Sequence, residues 1–144
     1  GIVKTYSDEG WKASETEYKS GQKHGRELTF YKTGAVASNS LYQKDILLKL
    51  NEYTESGMKT HEFIYSNGKK TGVFRQLFDS GELSWETYYK EGLPTKSVQF
   101  YKGGNLSKEI FFKDGKAVKG HGYTFEGEKS ELTNAHFHNA GFEY

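Results

Sequence analysis

Glycine recurs along this chain at a nearly fixed interval. It falls at Gly10, Gly34, Gly57, Gly81, Gly104 and Gly127, with spacings of 24, 23, 24, 23 and 23 residues. Eleven residues after each of the first five comes a second turn-forming residue: Gly21, Asp45, Gly68, Gly92 and Gly115. Three residues before each of these stands an aromatic, namely Tyr18, Tyr42, Tyr65, Tyr89 and Phe112. Four residues before the first-series glycines lie Tyr6, Phe30, Tyr53, Leu77, Phe100 and Tyr123. Five residues after them lie Glu15, Asn39, Glu62, Glu86 and Glu109, until the sixth copy breaks the pattern with Leu132. A period of this length marks one short unit copied along the chain, each copy sheltering its neighbour from water.

The unit reads as a β-hairpin. Clusters such as Asp-Glu-Gly at 8–10, Glu-Ser-Gly at 55–57 and Ser-Asn-Gly at 66–68 are turn formers, because Gly, Asn and Asp tolerate left-handed backbone. The segments between them are rich in Tyr, Phe, Thr and Val, which is strand composition. Alternation agrees: Leu83, Trp85, Thr87 and Tyr89 share one face, and Ser84, Glu86 and Tyr88 share the other. Only 41–52 can be forced onto a helical stripe, and its place in the repeat argues for strand. The expectation is an all-β fold of tandem hairpin repeats of 23–24 residues, forming an elongated, twisted antiparallel sheet or solenoid. One domain spans 1–144, with copies at about 4–25, 26–49, 50–72, 73–96 and 97–120 and a degenerate capping copy at 121–144. Asp45 in place of glycine, and the aliphatic run after it, predict a bulge or a longer connection in the second copy.

Composition narrows the function. Twenty Lys and Arg against nineteen Asp and Glu leave a net charge of +1, so no global field draws the chain to nucleic acid. The run Ile46-Leu47-Leu48 is far short of a membrane span of ~20 apolar residues. With no Cys there is no disulfide, thiolate metal site or cysteine nucleophile. Beginning at Gly1 rather than Met, the sequence is compatible with a removed targeting segment, and cytoplasmic and exported locations both stay open. Ile, Leu, Val and Phe together make up 29 of 144 residues, so the core has to be thin and largely aromatic.

The motif aromatic-x3-Gly-x4-Glu-x2-Tyr-x2-Gly-x3-Gly resembles the MORN-type repeat, in the variant of bacterial YwqK-like proteins. The first copy carries it as Tyr6, Gly10, Glu15, Tyr18, Gly21 and Gly25, the third as Tyr53, Gly57, Glu62, Tyr65, Gly68 and Gly72. The fourth keeps Gly81, Glu86, Tyr89 and Gly92, and the fifth Phe100, Gly104, Glu109, Phe112 and Gly115. The last glycine becomes Lys96 in the fourth and is displaced to Gly120 in the fifth. The resemblance covers residues 4–120. It implies a non-catalytic module for protein interaction or membrane association, a label of antitoxin-like in the bacterial variant, and attachment elsewhere to phosphatidylinositol phosphate kinases. Kinase activity is not expected here, since no Gly-rich phosphate loop runs into a helix.

Other chemistries fit these residues less well. The recurrent glutamates offer one environment many times over, whereas a catalytic carboxylate pair needs two different ones. They read as partners of turn amides or neighbouring lysines. His136 and His138 share a strand face and could take His121 as a third metal ligand, yet a polar capping strand at 134–141 explains them as well; no metal and no cofactor is expected. Choline- and glucan-binding repeats would carry tryptophan in nearly every copy, and here only Trp11 and Trp85 occur, at non-equivalent positions.

The aromatic series are the functional candidates. One has to supply core; the other, Tyr18, Tyr42, Tyr65, Tyr89 and Phe112, is the candidate binding face. The expected role is a non-enzymatic scaffold for a protein or peptide partner. Glycan or cell-surface binding and a lipid-associating module are the alternatives, and edge-to-edge self-association stays open.

Overall fold

The computed structural model describes residues 1–132, and the proposed cap at 134–141, with His136 and His138, lies outside them. The described residues form twelve strands and no helix. They are β1 Ile2–Tyr6, β2 Lys12–Lys19, β3 Gln22–Phe30, β4 Val36–Gln43, β5 Ile46–Tyr53, β6 Lys59–Ser66, β7 Lys69–Leu77, β8 Leu83–Lys90, β9 Leu93–Phe100, β10 Leu106–Lys113, β11 Lys116–Tyr123 and β12 Lys129–Glu131. Sequence order is strand order in an open antiparallel sheet, as tandem hairpins require.

Two kinds of turn alternate along the chain. At 20–21, 44–45, 67–68, 91–92 and 114–115 both turn residues have positive φ, the signature of a two-residue type I′ hairpin. At the first-series glycines the loop has three residues. Gly10 N–H donates to the Ser7 carbonyl and Ser7 N–H to the Trp11 carbonyl, both at 2.9 Å, and the same pair of bonds recurs around Gly34, Gly57, Gly81, Gly104 and Gly127. This is a type I turn closed by a residue at φ near +90°.

The three-residue loops after β1, β3, β5 and β9 are each followed by a β-bulge, whereas β11 pairs with β12 without a shift. Thr5 pairs with Ser14 and Tyr6 with Lys12, which leaves Ala13 as the extra residue. Ala37, Thr60 and Ser107 are extra at the equivalent places, all of them small. The two-residue hairpins are bulged as well. Leu48 is the extra residue of the second copy, and Thr95 and Val118 are its counterparts further on. The bulge expected from the aliphatic second copy is therefore a property of the repeat.

The chain divides into two compact units, Gly1–Gly72 and Val73–Tyr144. In the first, register partners sort the side chains onto two faces. Tyr18 with Lys23, and Tyr42 with Leu47, lie on one face; Tyr6 with Lys12, and Phe30 with Val36, lie on the other. The two aromatic series thus occupy opposite sides of the sheet. Neither is fully buried: Tyr6 is 60% exposed, and Phe30, Tyr53, Tyr18, Tyr42 and Tyr65 are half-buried.

The core lies in a different column, six residues after the first-series glycine. Thr16, Ser40 and Phe63 hold it in the first unit, at 5%, 6% and 3% exposure. In the second unit Ile110 holds the equivalent place at 0% and packs with Phe112, Ala117 and Leu132. Central strand positions in a single-layer sheet are covered by their own longer neighbours, so a threonine or serine is buried there as readily as an isoleucine. The expected aromatic core is replaced by this mixed column, together with Val73 and Val98.

Candidate functional site

Tyr18, Tyr42 and Tyr65 stand on β2, β4 and β6, each just before a type I′ turn, with β3 and β5 between them. The intervening strands fill the gaps. Lys23 on β3 is the register partner of Tyr18, and its ammonium lies 4.8 Å from the centroid of the Tyr42 ring. Leu47 on β5 is the register partner of Tyr42. The result is a strip of ring, cation, ring, aliphatic chain and ring near the turn edge of the first unit.

Lys23 is fixed from two sides. Its ammonium lies 2.9 Å from Glu27 on the same strand face, and this hydrogen bond holds its pKa above the ordinary lysine value despite opposing desolvation. Glu27 in turn accepts the Thr16 hydroxyl at 2.8 Å, which ties the strip to the buried column. At the far end Phe63 meets Tyr65 edge-on at 6.4 Å and His61 at 6.2 Å, and His61 lies 2.9 Å from Glu52. Burial first, and the Glu52 carboxylate second, raise the Tyr65 phenol above its ordinary value.

Tyr89 and Phe112 belong to the second unit. Tyr89 is the register partner of Pro94, and Phe112 is the partner of Ala117 and part of the cluster around Ile110. Phe112 therefore packs its own unit's core. Tyr88, one residue from Tyr89, turns to the other face and is exposed.

The recurrent glutamates each find a cation or hydroxyl. Lys12 holds Glu15 at 2.5 Å and lowers its pKa, chiefly through that hydrogen bond. Arg75 bonds Glu86 at 2.9 Å, and Lys59 is 3.9 Å from Glu62. Glu109 accepts the Tyr123 hydroxyl at 2.7 Å, which raises the phenol's pKa, and Lys96 lies 3.7 Å away. A strand separates neighbouring members of the series: Leu28 stands between Glu15 and Asn39, Val98 between Glu86 and Glu109. His121 is buried against Glu131 at 3.1 Å and the Phe111 ring at 6.2 Å. Among the described residues, no three His, Cys, Asp or Glu side chains are placed to hold a metal ion, and no helix is long and apolar enough to cross a membrane.

Two concavities lie away from the strip. A small one of ≈ 50 Å³ between Ile2, Glu15, Glu17, Arg26 and Leu28 is on the opposite face of the first unit. An open groove of ≈ 320 Å³ in the second unit is lined by Glu82, Leu83, Phe100, Gly103 and Gly104. The residue that sequence reasoning missed is Lys23. Only the bulged register of β2 on β3, where Thr16 pairs with Glu27 and Tyr18 with Lys23, brings it between two tyrosines. No family model matches the chain, and no curated protein matches it either.

Proposed function

We propose that the chain is a non-catalytic repeat scaffold, and that its first unit takes a protein or peptide partner on the face bearing Tyr18, Tyr42 and Tyr65. The observation that carries this reading is the position of Lys23, beside Tyr18 in register and over the Tyr42 ring. Half-exposed rings around a fixed cation give rigid amphipathic area with little rotamer freedom to lose, the composition of interface hot spots. The glutamates support the non-catalytic part. Most sit beside a basic side chain, and none is paired with a second carboxyl in a contrasting environment. Of the roles that the MORN-type resemblance implies, protein binding is the one this strip supports, and neutralising a toxin would be one form of it.

A carbohydrate reading draws on a different observation. Thr5 bonds Ser14 and Thr29 bonds Ser38, each at 2.5 Å, in one row on the tyrosine face. Hydroxyls beside aromatic rings also suit a sugar.

Selection of a displayed peptide library on the full chain, with counter-selection on the Tyr18→Thr/Tyr42→Thr variant, separates the two. Selected peptides are expected to lose about tenfold or more in affinity on the variant, at over 1 kcal/mol per aromatic anchor. Peptides that bind both proteins equally would overturn the reading. Tyrosine-dependent binding on a glycan array would replace it with the carbohydrate one.

A further inference from the structure

The first unit exposes aliphatic side chains on the face opposite its tyrosines. Leu41 and Ile64 are both register partners of Lys49, and Ile46 pairs with Gln43 beside the type I′ turn at 44–45. Strand alternation sets Leu41 and Gln43 on the other side of the sheet from Tyr42, so these side chains and their partners share one face. Ile46 is 63% exposed there and Ile64 56%. The charge around them is basic. Lys49 on that face and Lys44 in the turn are exposed and make no ion pair among the described residues. The nearby carboxylates are engaged, Glu17 by Arg26 at 3.7 Å and Asp45 by the Lys23 N–H at 2.7 Å.

The second unit holds the complement. Its open groove of ≈ 320 Å³ is lined by Leu83, Phe100 and the bare backbone of Gly103 and Gly104. Glu82 stands at the rim, where it accepts the Gly103 N–H at 2.9 Å. Asn105 bonds the Phe125 carbonyl at 3.2 Å, which brings the loop of Glu126 and Glu128 alongside. Asp79, Glu82, Glu126 and Glu128 are exposed and make no ion pair among the described residues. The one lysine of these loops, Lys102, lies 5.7 Å over the Phe78 ring.

We propose that the groove of one copy of the chain takes the Ile46 turn of a second copy. The Ile46 side chain enters against Leu83 and Phe100, and Lys44 and Lys49 meet the carboxylates around the rim. Exposed apolar patches rimmed by polar groups mark association surfaces, and opposed charge selects which surfaces meet. Turn and groove are different surfaces, so the contact is heterologous and a pair still has one turn and one groove to offer. One aliphatic anchor buries far less than the ~800 Å² per partner of a stable complex, so the expected Kd is about 100 µM. The contact uses the face opposite Tyr42, and it stands or falls separately from peptide binding on the tyrosine strip.

Sedimentation velocity of the full chain from about 10 to about 500 µM brackets that Kd. At about 50 mM salt the sedimentation coefficient is expected to rise with concentration, and at about 500 mM salt the rise is expected to shrink. Ile46→Ser removes the turn and keeps the groove, whereas Glu82→Lys/Glu126→Lys reverses the rim and keeps the turn. Each alone is expected to associate about tenfold more weakly than wild type. Val118→Ser, at a site 59% exposed, is expected to match wild type. Mixed in equal amounts, the two weakened variants are expected to recover wild-type affinity as pairs that grow no further, since one supplies an intact groove and the other an intact turn. Such recovery also shows that both variants fold. Amide shifts of the wild-type chain with concentration are expected at 44–49, 82–84 and 100–104, and should a variant not fold, these decide alone. A constant sedimentation coefficient at low salt, variants that associate as wild type does, folded variants that do not recover on mixing, or shifts confined to β1 would overturn the proposal.

Discussion

The Tyr31 hydroxyl donates a 2.6 Å hydrogen bond to the main-chain carbonyl of Tyr53, one repeat further on, and Tyr101 repeats the contact to Tyr123. Each bond joins the loop of one hairpin to the strand end of the next hairpin but one strand. Around it the second unit adds Gly103 N–H to Glu82 at 2.9 Å, Asn105 to the Phe125 carbonyl at 3.2 Å, and an edge-on contact of Tyr101 with Phe125 at 5.6 Å. The copies are thus tied through their loops as well as through the strand ladders. Tyr31→Phe and Tyr101→Phe keep the ring and leave a carbonyl unpaired, so each is expected to cost about 1 kcal/mol. Urea unfolding checks this, and an unchanged midpoint for both variants would show that the loops do not couple the repeats.

The buried column makes a sharper claim. Ile110→Ala removes a fully buried side chain packed on Phe112, Ala117 and Leu132, and is expected to cost about 3 kcal/mol. Thr16→Ala, at the equivalent place in the first copy, deletes a smaller group and its bond to Glu27, for about 1 kcal/mol. If instead Tyr18→Ala or Phe30→Ala proved the costliest substitution, the core would lie in the aromatic series after all.

That contrast shows what could be read from the sequence. The hairpins and both turn classes were legible because turns constrain backbone, and backbone conformation selects Gly, Asn and Asp at fixed spacing. The face split of the two aromatic series was not legible, because Tyr6 and Tyr18 stand on different strands and only the bulged register, with Tyr6 on Lys12 and Thr5 on Ser14, relates their sides. The core column was not legible, because Thr16, Ser40, Phe63 and Ile110 share a position and no chemistry. Lys23 was not legible either, since no repeat pattern marks it and its neighbours are set by a bulged register.

Asp45 shows how a departure from the pattern is compensated. It takes the left-handed turn position that glycine fills elsewhere, with φ 65°, and its carboxylate and amide bond the backbone of Lys23 at 2.7 and 2.9 Å. Asp45→Gly relieves the backbone and loses the side-chain bond, so the two terms, each about 1 kcal/mol, nearly cancel. Asp45→Ala keeps the left-handed backbone cost and loses the bond, for about 1 kcal/mol. Thermal unfolding of the pair should separate the two variants; equal midpoints would mean that the left-handed backbone at 45 costs alanine nothing.

Glu15 gives the protein a pH dependence on the acid side. Its folded pKa lies below the reference value of 4.5, first because of the Lys12 hydrogen bond. A lowered carboxylate pKa means that the unfolded chain takes up the proton first. The stability it confers is therefore present above pH 4.5 and lost as the pH falls below it. Urea midpoints of wild type and Glu15→Gln should differ by a small constant amount near neutral pH and converge in acid. A gap that widens in acid would contradict the assignment.

Two glycines with left-handed backbone should answer very differently to alanine. Gly57 has φ 96° and open space where a Cβ would stand, so Gly57→Ala meets only the conformational cost, about 1 kcal/mol. Gly72 has φ 148°, and a Cβ there would lie 1.9 Å from the Glu62 carbonyl oxygen. That oxygen is backbone and cannot swing away, so the strands must part locally. Gly72→Ala is expected to cost about 3 kcal/mol or more, among the large single-substitution effects that backbone strain produces. Denaturant midpoints of the two variants decide it: comparable losses would mean that the chain yields at Gly72 as easily as at an exposed loop, and that the last glycine of the motif has no packing role.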